Sequence, residues 1–317
     1  MNTTEAVLRR LGDGRVHQPD LLFHEFGLSA DAFAEVLDEL ARLGLPVHQR
    51  GAEGIQLDWP IDWLDGARLA SRARALGLDL TLEWLCESTN SRLHDALHPG
   101  RMPCVLLAEA QSGGRGRRGR GWLSPPGAGL YLSLAWRSTR PPAELAPLAL
   151  IVGMAAAGVL REIGVAAMVK WPNDLQVGGC KLGGCLVEVA AAGSGPSDLV
   201  LGLGINCRLP STTELDQPWT DLHRLDSSTD RTELAVRLID GLVKALKQFD
   251  REGAGPALAQ WPGFDALAGR IVDVVWDHGR QLSGPALGID QCGRLLVGQS
   301  ESALALHSGE VRVRSAA

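Results

Sequence analysis

The ten residues GGRGRRGRGW, Gly113 to Trp122, run directly into LSPPGAGLYLSLAW, and this junction restricts the architecture more than any other stretch of the chain. A strand-like PCVLLAEA precedes it, and Gly114, Gly116 and Gly119 satisfy the G-x-G-x-x-G pattern of a dinucleotide-binding turn. That turn works because its last glycines open a helix whose N-terminus receives a pyrophosphate. Here Pro125 and Pro126 stand ahead of another strand-like run, so no helix begins where the cofactor would need one. A doubly wound dinucleotide fold is therefore disfavoured. A Walker loop needs Gly-Lys followed by Ser or Thr, and a kinase glycine loop needs its HRD and DFG companions; neither set is present.

The flanking sequence reads as a sheet with short connections. Between about Leu64 and Ala268 the candidate strands are LDLTLEWL, PCVLLAEA, GLYLSLAW, VAAMVKW, KLGGCLVEV and DLVLGLGIN; the candidate helices are the 145–162 stretch and TELAVRLIDGLVKALKQFD. Turn-like gaps such as VGG and AAGSGPS between strands predict antiparallel pairing and an α+β domain. After Gly269 the runs RIVDVVW, PALGID, RLLVG, ALALHSG and EVRVR predict a small all-β barrel. At the other end, AVLRRL, PDLLFHEFG and SADAFAEVLDELARLG carry helical periodicity, with Ser29 as N-cap of a helix that sets Phe33, Val36, Leu37 and Leu40 on one face. Two strand-like pieces, PVHQR and GIQLDW, follow around the turn GAEG, and three helices with a β-ribbon predict a winged helix-turn-helix. The expected units are 1–63, 64–268 and 269–317.

Such a module usually meets DNA, but its charge points the other way. Met1 to Trp63 hold five Arg and no Lys against eleven Asp and Glu, a net of minus six. The presumed recognition helix offers Asp31, Glu35, Asp38 and Glu39, where a DNA reader needs cations to displace counterions from phosphates. Little or no DNA binding is expected. The longest apolar stretch, Leu145 to Leu160, falls short of the roughly 18 to 20 residues that span a bilayer, and the amino terminus lacks the apolar core of a secretory signal. Cys86, Cys104, Cys180, Cys185, Cys207 and Cys292 form no CxxC pair and have no zinc-finger histidines, so reduced thiols in a cytoplasmic protein without a membrane span or protein metal centre are expected.

Against this acidic background the arginine loop stands out. Arg101 to Trp122 hold five Arg and one Glu, a net of plus four, while the whole chain carries minus six, so the remainder carries minus ten. Crowded cations repel one another until an anionic ligand relieves them. If a carboxylate must attack a phosphate, like charges about 4 Å apart repel by roughly 4 kcal/mol at an effective dielectric near 20, nearly three powers of ten in rate. Guanidinium groups remove that barrier, and glycines let backbone N–H groups approach anionic oxygens. The loop suits the joining of two anions.

Four companion stretches bear on this reading, each ambiguous alone. ESTN, Glu87 to Asn90, can cap the following helix-like SRLHDAL or hold a polar ligand. VKWPNDL puts Asn173 and Asp174 in a turn at a strand end, GGCKLGGCLVE isolates Lys181 among glycines, and GLGIN ends an apolar strand in Asn206. In this order and spacing, GRGRRGRGW, KWPNDL, GxKLGGxLVE and GxGIN closely resemble the bacterial biotin protein ligases, over nearly the whole chain. The resemblance implies a winged-helix module, a catalytic domain related to class II aminoacyl-tRNA synthetases and an SH3-like carboxy-terminal domain. It implies that biotin's carboxylate attacks the α-phosphate of ATP to give biotinyl-5'-AMP, and that a lysine of the biotin carboxyl carrier protein of acetyl-CoA carboxylase then takes the biotin.

Carried over by position, Ser88, Thr89, Asn90 and Gln111 line the biotin ureido end. Arg115, Gly116 and Arg117 belong to the segment that folds over biotin and the adenylate, with Arg117 as the brake on its escape. Lys181 contacts the carboxylate and phosphate during adenylation, so Arg117 and Lys181 are the expected catalytic pair. Arg120, Trp122, Asn173, Asp174 and Asn206 match positions associated with ATP, Trp122 offering a face for adenine while Asp174 and Asn206 help place Mg2+-bound phosphates. Members often pair through the central sheet, so a homodimer is a candidate assembly. Two alternatives stay in view: a biotin-responsive repressor, against which the acidic module argues, and a lipoate ligase, disfavoured by the arginine loop and the KWPND match.

Overall fold

The computed structural model describes residues 2–97, 103–192, 195–276, 279, 281–299, 302–308 and 311–315; Arg101, counted in the cationic segment, lies outside them. The first helices are α1 (Thr3–Leu11), α2 (Pro19–Phe26) and α3 (Ala30–Arg42), followed by an antiparallel ribbon of β1 (His48–Gln49) and β2 (Ile55–Gln56). Ser29 caps α3 by accepting from the Ala32 amide at 3.2 Å. The periodicity of α3 buries Phe33, Val36 and Leu40 against Val7, Leu8, Leu11 and Leu22, and this core continues through Leu57, Trp59 and Ile61.

The central region contains α4 (Gly66–Ala75), β3 (Asp79–Cys86), α5 (Thr89–Ala96), β4 (Cys104–Gln111), β5 (Gly129–Ser138), α6 (Leu148–Glu162), β6 (Met168–Lys170), β7 (Asp174–Val177), β8 (Cys180–Ala192), β9 (Ser197–Asn206) and α7 (Arg231–Glu252). Its strands form one sheet in the order β3-β4-β5-β9-β8-β7-β6. All neighbours are antiparallel except β3 and β4, which run parallel. The helix α5 lies between those two strands and supplies the crossover that a parallel pair requires. Wholly antiparallel pairing is thus corrected at that one place.

Alternation along the strands separates two faces. On one, Val105, Leu107, Leu130, Leu132, Leu134, Trp136, Leu199, Leu201, Leu203 and Ile205 pack in a common core with α6 and α7. Several intervening positions are smaller, with Ser133 and Ala135 on β5 and Gly202 and Gly204 on β9. Leu93 of α5 covers part of this second face by packing with Leu106, Ala135 and Val200. Beyond α5 the glycines leave the sheet backbone bare.

Two elements escape a reading by hydrophobic pattern. Strand β7 is only 4 residues long. Helix α4, GARLASRARA, buries just Leu69 and Ala73, and its arginines face the acids of α7: Arg72 binds Asp240 at 2.6 and 2.8 Å, and Arg68 pairs with Glu233. The last strands, β10 (Ile271–Trp276), β11 (Gln281–Ile289), β12 (Leu295–Val297), β13 (Leu304–Leu306) and β14 (Val311–Ser315), form an antiparallel sheet in the order β13-β12-β11-β10-β14. Val272, Val274, Leu295, Val297 and Leu306 join the central core, and Trp171 Nε1 donates to the Gly293 carbonyl at 2.9 Å.

A buried ion pair ties the first unit to the sheet. Arg231, at the start of α7 and 4% exposed, donates from Nη1 to Glu109 Oε2 at 2.8 Å and to the Asp62 carbonyl at 2.7 Å, and from Nε to the Gly129 carbonyl at 3.0 Å. Glu109 also accepts from the Leu64 amide at 2.9 Å. Burial opposes the Arg231 charge, but Glu109, Cys207 and Tyr131 together outweigh it and raise the guanidinium pKa. Replacing Arg231 with Met should leave Glu109 as an unpaired buried acid and lower unfolding free energy by about 3 kcal/mol. Denaturant midpoints of Arg231→Met, Glu109→Gln and the double variant check this; strictly additive losses would refute coupling through the pair.

Candidate active site

A cavity of about 300 Å³ opens on the bare face of the sheet. Its lining includes every residue singled out from the sequence: Ser88, Thr89, Asn90, Gln111, Arg115, Gly116, Arg117, Arg120, Trp122, Asn173, Asp174, Lys181 and Asn206. Two glycines of β9 make the floor possible. A Cβ on Gly204 would lie 2.6 Å from Trp122 Cε2, and one on Gly202 would overlap Asn90 Oδ1. Both side chains therefore rest directly on strand backbone.

One part of the lining is a chain of neutral hydrogen bonds. Ser88 caps α5, its hydroxyl 3.5 Å from the Ser91 amide, so the helix begins at Thr89, two residues ahead of the helix-like SRLHDAL. This places Thr89 and Asn90 in the first turn. Gln111 Oε1 accepts from the Thr89 amide at 2.8 Å, and Gln111 Nε2 donates to Ser124 Oγ at 2.7 Å. The Ser133 hydroxyl, at 0% exposure, donates to Asn90 Oδ1 at 2.5 Å and lies 2.8 Å from Thr89 Oγ1.

The cations arrive from two other elements. Strand β8 pairs Gly183 with Leu175 but Lys181 with Gln176, a bulge that takes up Leu182. The extra residue turns Lys181 toward the cavity together with Gly184 and Leu186, while Leu182 stays in the core. Lys181 Nζ lies 2.9 Å from Asp174 Oδ1 and 5.3 Å from the centre of the Trp122 ring.

The arginine loop is a narrow hairpin. Arg115 bridges Gly121, the Gly116 amide donates to the Arg120 carbonyl at 2.7 Å, and the Trp122 amide donates to the Gly114 carbonyl at 2.8 Å. At its tip Arg118 adopts φ +59°, in the left-handed region. Arg117 turns inward, donating from Nη1 to Asn173 Oδ1 at 3.4 Å and from Nη2 to the Ser308 carbonyl beyond β13. Burial lowers the Arg117 pKa, with Arg118 adding to the effect and Asp174 opposing it. A cation in that state gains from an incoming anion. Arg115 instead reaches Glu188, at 2.6 Å.

Two of the amides are occupied by the protein itself. Asn173 Nδ2 donates to the Cys185 carbonyl at 2.7 Å, and Asn206 Nδ2 to the Thr220 carbonyl at 3.0 Å. Cys185 also lines the cavity, but burial pushes its thiol up to about 12, which suits a neutral wall rather than a nucleophile. Among the described residues no group of three or more His, Cys, Asp or Glu side chains is arranged to hold a metal ion.

One wall escaped the sequence reading. Leu209, Leu215, Asp216, Gln217 and Trp219 line the cavity from the segment after β9. Backbone bonds fasten this segment to β8: the Lys181 amide donates to the Pro218 carbonyl, and the Thr220 amide to the Lys181 carbonyl, both at 2.9 Å. Arg224 lies 3.8 Å over the Trp219 ring. A tryptophan within the polar PSTTELDQPWT was the available signal.

The floor geometry gives a direct test. Gly204→Ala should displace Trp122 and destabilise the fold by about 1–3 kcal/mol through overpacking. Gly158→Ala, on α6 with nothing within 4 Å of an added Cβ, should stabilise it by about 0.5–1 kcal/mol. Unfolding midpoints of the two variants check the contrast; equal shifts would contradict the seating of Trp122.

The Biotin/lipoate A/B protein ligase family matches residues 85–206, which run from the end of β3 to the end of β9. The chain is 35% identical over 314 residues to the bifunctional ligase/repressor BirA of Salmonella typhimurium, covering 98% of this chain and 97% of that protein. It is 33% identical over 214 residues to the biotin--[acetyl-CoA-carboxylase] ligase of Mycobacterium tuberculosis, covering 65% and 77%. Among solved structures, the Aquifex aeolicus biotin protein ligase in complex with biotin and ATP superposes with a TM-score of 0.64 at 26% identity, over 75% of this chain and 99% of that one. With so high an identity over almost its full length, the chain belongs to the bacterial biotin protein ligase family.

Proposed function

We infer that the chain is a biotin protein ligase: it activates biotin with ATP and transfers the biotin to a lysine of a biotin carboxyl carrier protein. The observation that carries this reading is that Arg117 and Lys181 line the same cavity as the hydrogen-bonded Thr89, Gln111 and Asn90. A carboxylate oxygen of biotin attacks the α-phosphorus, the bond to the β-phosphate breaks, and pyrophosphate leaves. The carrier lysine nitrogen then attacks the acyl carbon, AMP departs, and the nitrogen loses its proton. Lys181 and Arg117 stabilise charge at the first step, because both side chains are partly withdrawn from solvent, where a cation acts on developing charge with less screening.

Ser88, Thr89, Asn90 and Gln111 take the biotin head in this reading, with Arg115, Gly116 and Arg117 covering it; Arg120, Trp122, Asn173, Asp174 and Asn206 serve the nucleotide. Asp174 and Asp216 both line the cavity, a fitting donor set for a phosphate-borne Mg2+, which takes most of its ligands from phosphate and water. The ion would shield phosphate charge. We further read 1–63 as a winged helix-turn-helix, 64–268 as the catalytic domain and 269–317 as an SH3-like domain, in a cytoplasmic protein able to pair through its central sheet. No described helix is long and apolar enough to cross a membrane.

A second activity, operator binding, is favoured by the ligase/repressor names of the relatives and by the three helices with their ribbon. The exposed Asp31, Glu35 and Asp38 of α3 oppose it. Mobility shifts with promoter DNA, biotin and ATP should show no complex that weakens steeply with salt; such a complex would restore the repressor reading. For the ligase, incubation with biotin, labelled ATP and a carrier domain should release pyrophosphate and yield biotinylated carrier, and the absence of both would end the proposal. Lys181→Gln should slow adenylation by about 10²–10³-fold. Arg117→Gly should let the adenylate escape and label lysines on unrelated proteins.

A further inference from the structure

We propose that Glu188 is a positioning residue of this site, joining the root of the arginine hairpin to the cavity floor through one carboxylate; the substrates in its test rest on the ligase reading. Glu188 lies on β8, and after the bulge at Leu182 it shares the cavity face with Gly184 and Leu186. Both of its oxygens lie near Arg115 Nη2, at 2.6 and 2.7 Å, and Oε2 also accepts from Asn90 Nδ2 at 2.8 Å. Asn90, 3% exposed, is held at its other end by the Ser133 hydroxyl, while its Nδ2 is 3.4 Å from the Leu186 carbonyl.

Two consequences follow from these contacts. The Asn90 amide has protein partners on both its oxygen and its nitrogen, so these contacts fix where it stands on the cavity floor. The Arg115 guanidinium is matched by a carboxylate, so the inward-facing Arg117 is left to meet an anion while Arg115 anchors the strand of the hairpin that carries it. Arg115 is also the residue that bridges Gly121, so the pair with Glu188 fixes the point where the hairpin leaves the sheet. The bond to Asn90 and the pair with Arg115 are separable chemically: a glutamine at 188 still offers an oxygen to Asn90 but no charge to Arg115.

Full-length Glu188→Gln, Glu188→Ala, Arg115→Gln and the Glu188→Gln/Arg115→Gln double variant test this. Hydrogen exchange at the Gly116 and Trp122 amides, which needs no substrate, should quicken by about tenfold in Glu188→Gln and Arg115→Gln, and no further in the double variant. Escape of biotinyl-adenylate should rise in parallel. Biotin affinity by calorimetry should fall about tenfold in Glu188→Ala and be largely retained in Glu188→Gln, a rescue that a merely structural role would not produce. Unchanged exchange in Glu188→Gln, or a double variant equal to the product of the singles, overturns the clamp; equal biotin affinity in the glutamine and alanine variants overturns the role toward Asn90. If alanine at 188 prevents folding, the isosteric glutamine and the Arg115 series still decide the clamp. Loss of adenylate formation in the unmodified protein would strike the ligase reading instead, and the exchange experiment would remain informative.

Discussion

The site depends on how side-chain bulk is divided between the two faces of the central sheet. A strand sends alternate side chains to opposite faces, so β9 can present Leu199, Leu201, Leu203 and Ile205 to the helices while Gly202 and Gly204 leave a stretch of its other face, between Val200 and Asn206, without side chains. The apolar face supplies rigidity through a continuous core under α6 and α7. The bare face supplies room, and it lets an indole and a carboxamide lie directly against backbone. Any added methyl at those glycines would take space from Trp122 or Asn90 before a ligand arrived.

Charge in the cavity is arranged on the same principle of commitment. The loop concentrates cations, yet Lys181 is held by Asp174 and Arg115 by Glu188, so self-repulsion is relieved without a ligand and a ligand competes with placed carboxylates. Arg117 differs, since burial disfavours its charge and it donates to the neutral oxygens of Asn173 and Ser308. Around these groups Asn173 and Asn206 bind neighbouring carbonyls and fix the turns that carry the cations and the outer wall. Few side chains remain free to read a ligand, and many hold those few in place, as precise positioning requires.

The units are also mechanically joined near the site. Arg231 and Glu109 connect the residues entering the sheet, Asp62 and Leu64, with the strands that carry the cavity floor. At the other end, the carbonyl of Ser308 reaches Arg117, and Gly293 receives the indole of Trp171 just before the Asn173 turn. Residues toward both ends of the chain therefore touch structures that carry groups lining the cavity.

Much of this was legible from the residues alone. Pro125 and Pro126 removed the helix that a dinucleotide site needs, alternating apolar runs marked most strands of the sheet, and Ser29 with its periodic partners located α3. The ordered motifs also brought out thirteen of the residues that line the cavity. The parallel pairing of β3 with β4, the helix α4 and the wall at 209–219 were hidden, because each takes its form from a partner distant in sequence: α4 from the acids of α7, and the wall from the backbone of Lys181.

The sequence by itself determined the type of chemistry, since clustered guanidinium groups and an isolated lysine need anions whatever the fold around them. It also determined the alternation of bulk and glycine that makes a two-faced sheet. Only the tertiary structure decided which cations face a ligand. A single bulged residue in β8 reverses the side-chain parity, and the placement of Glu188 beside Arg115 consumes one positive charge while leaving Arg117 turned inward. Those outcomes depend on register and on contacts between residues up to 191 positions apart, which local spacing does not encode.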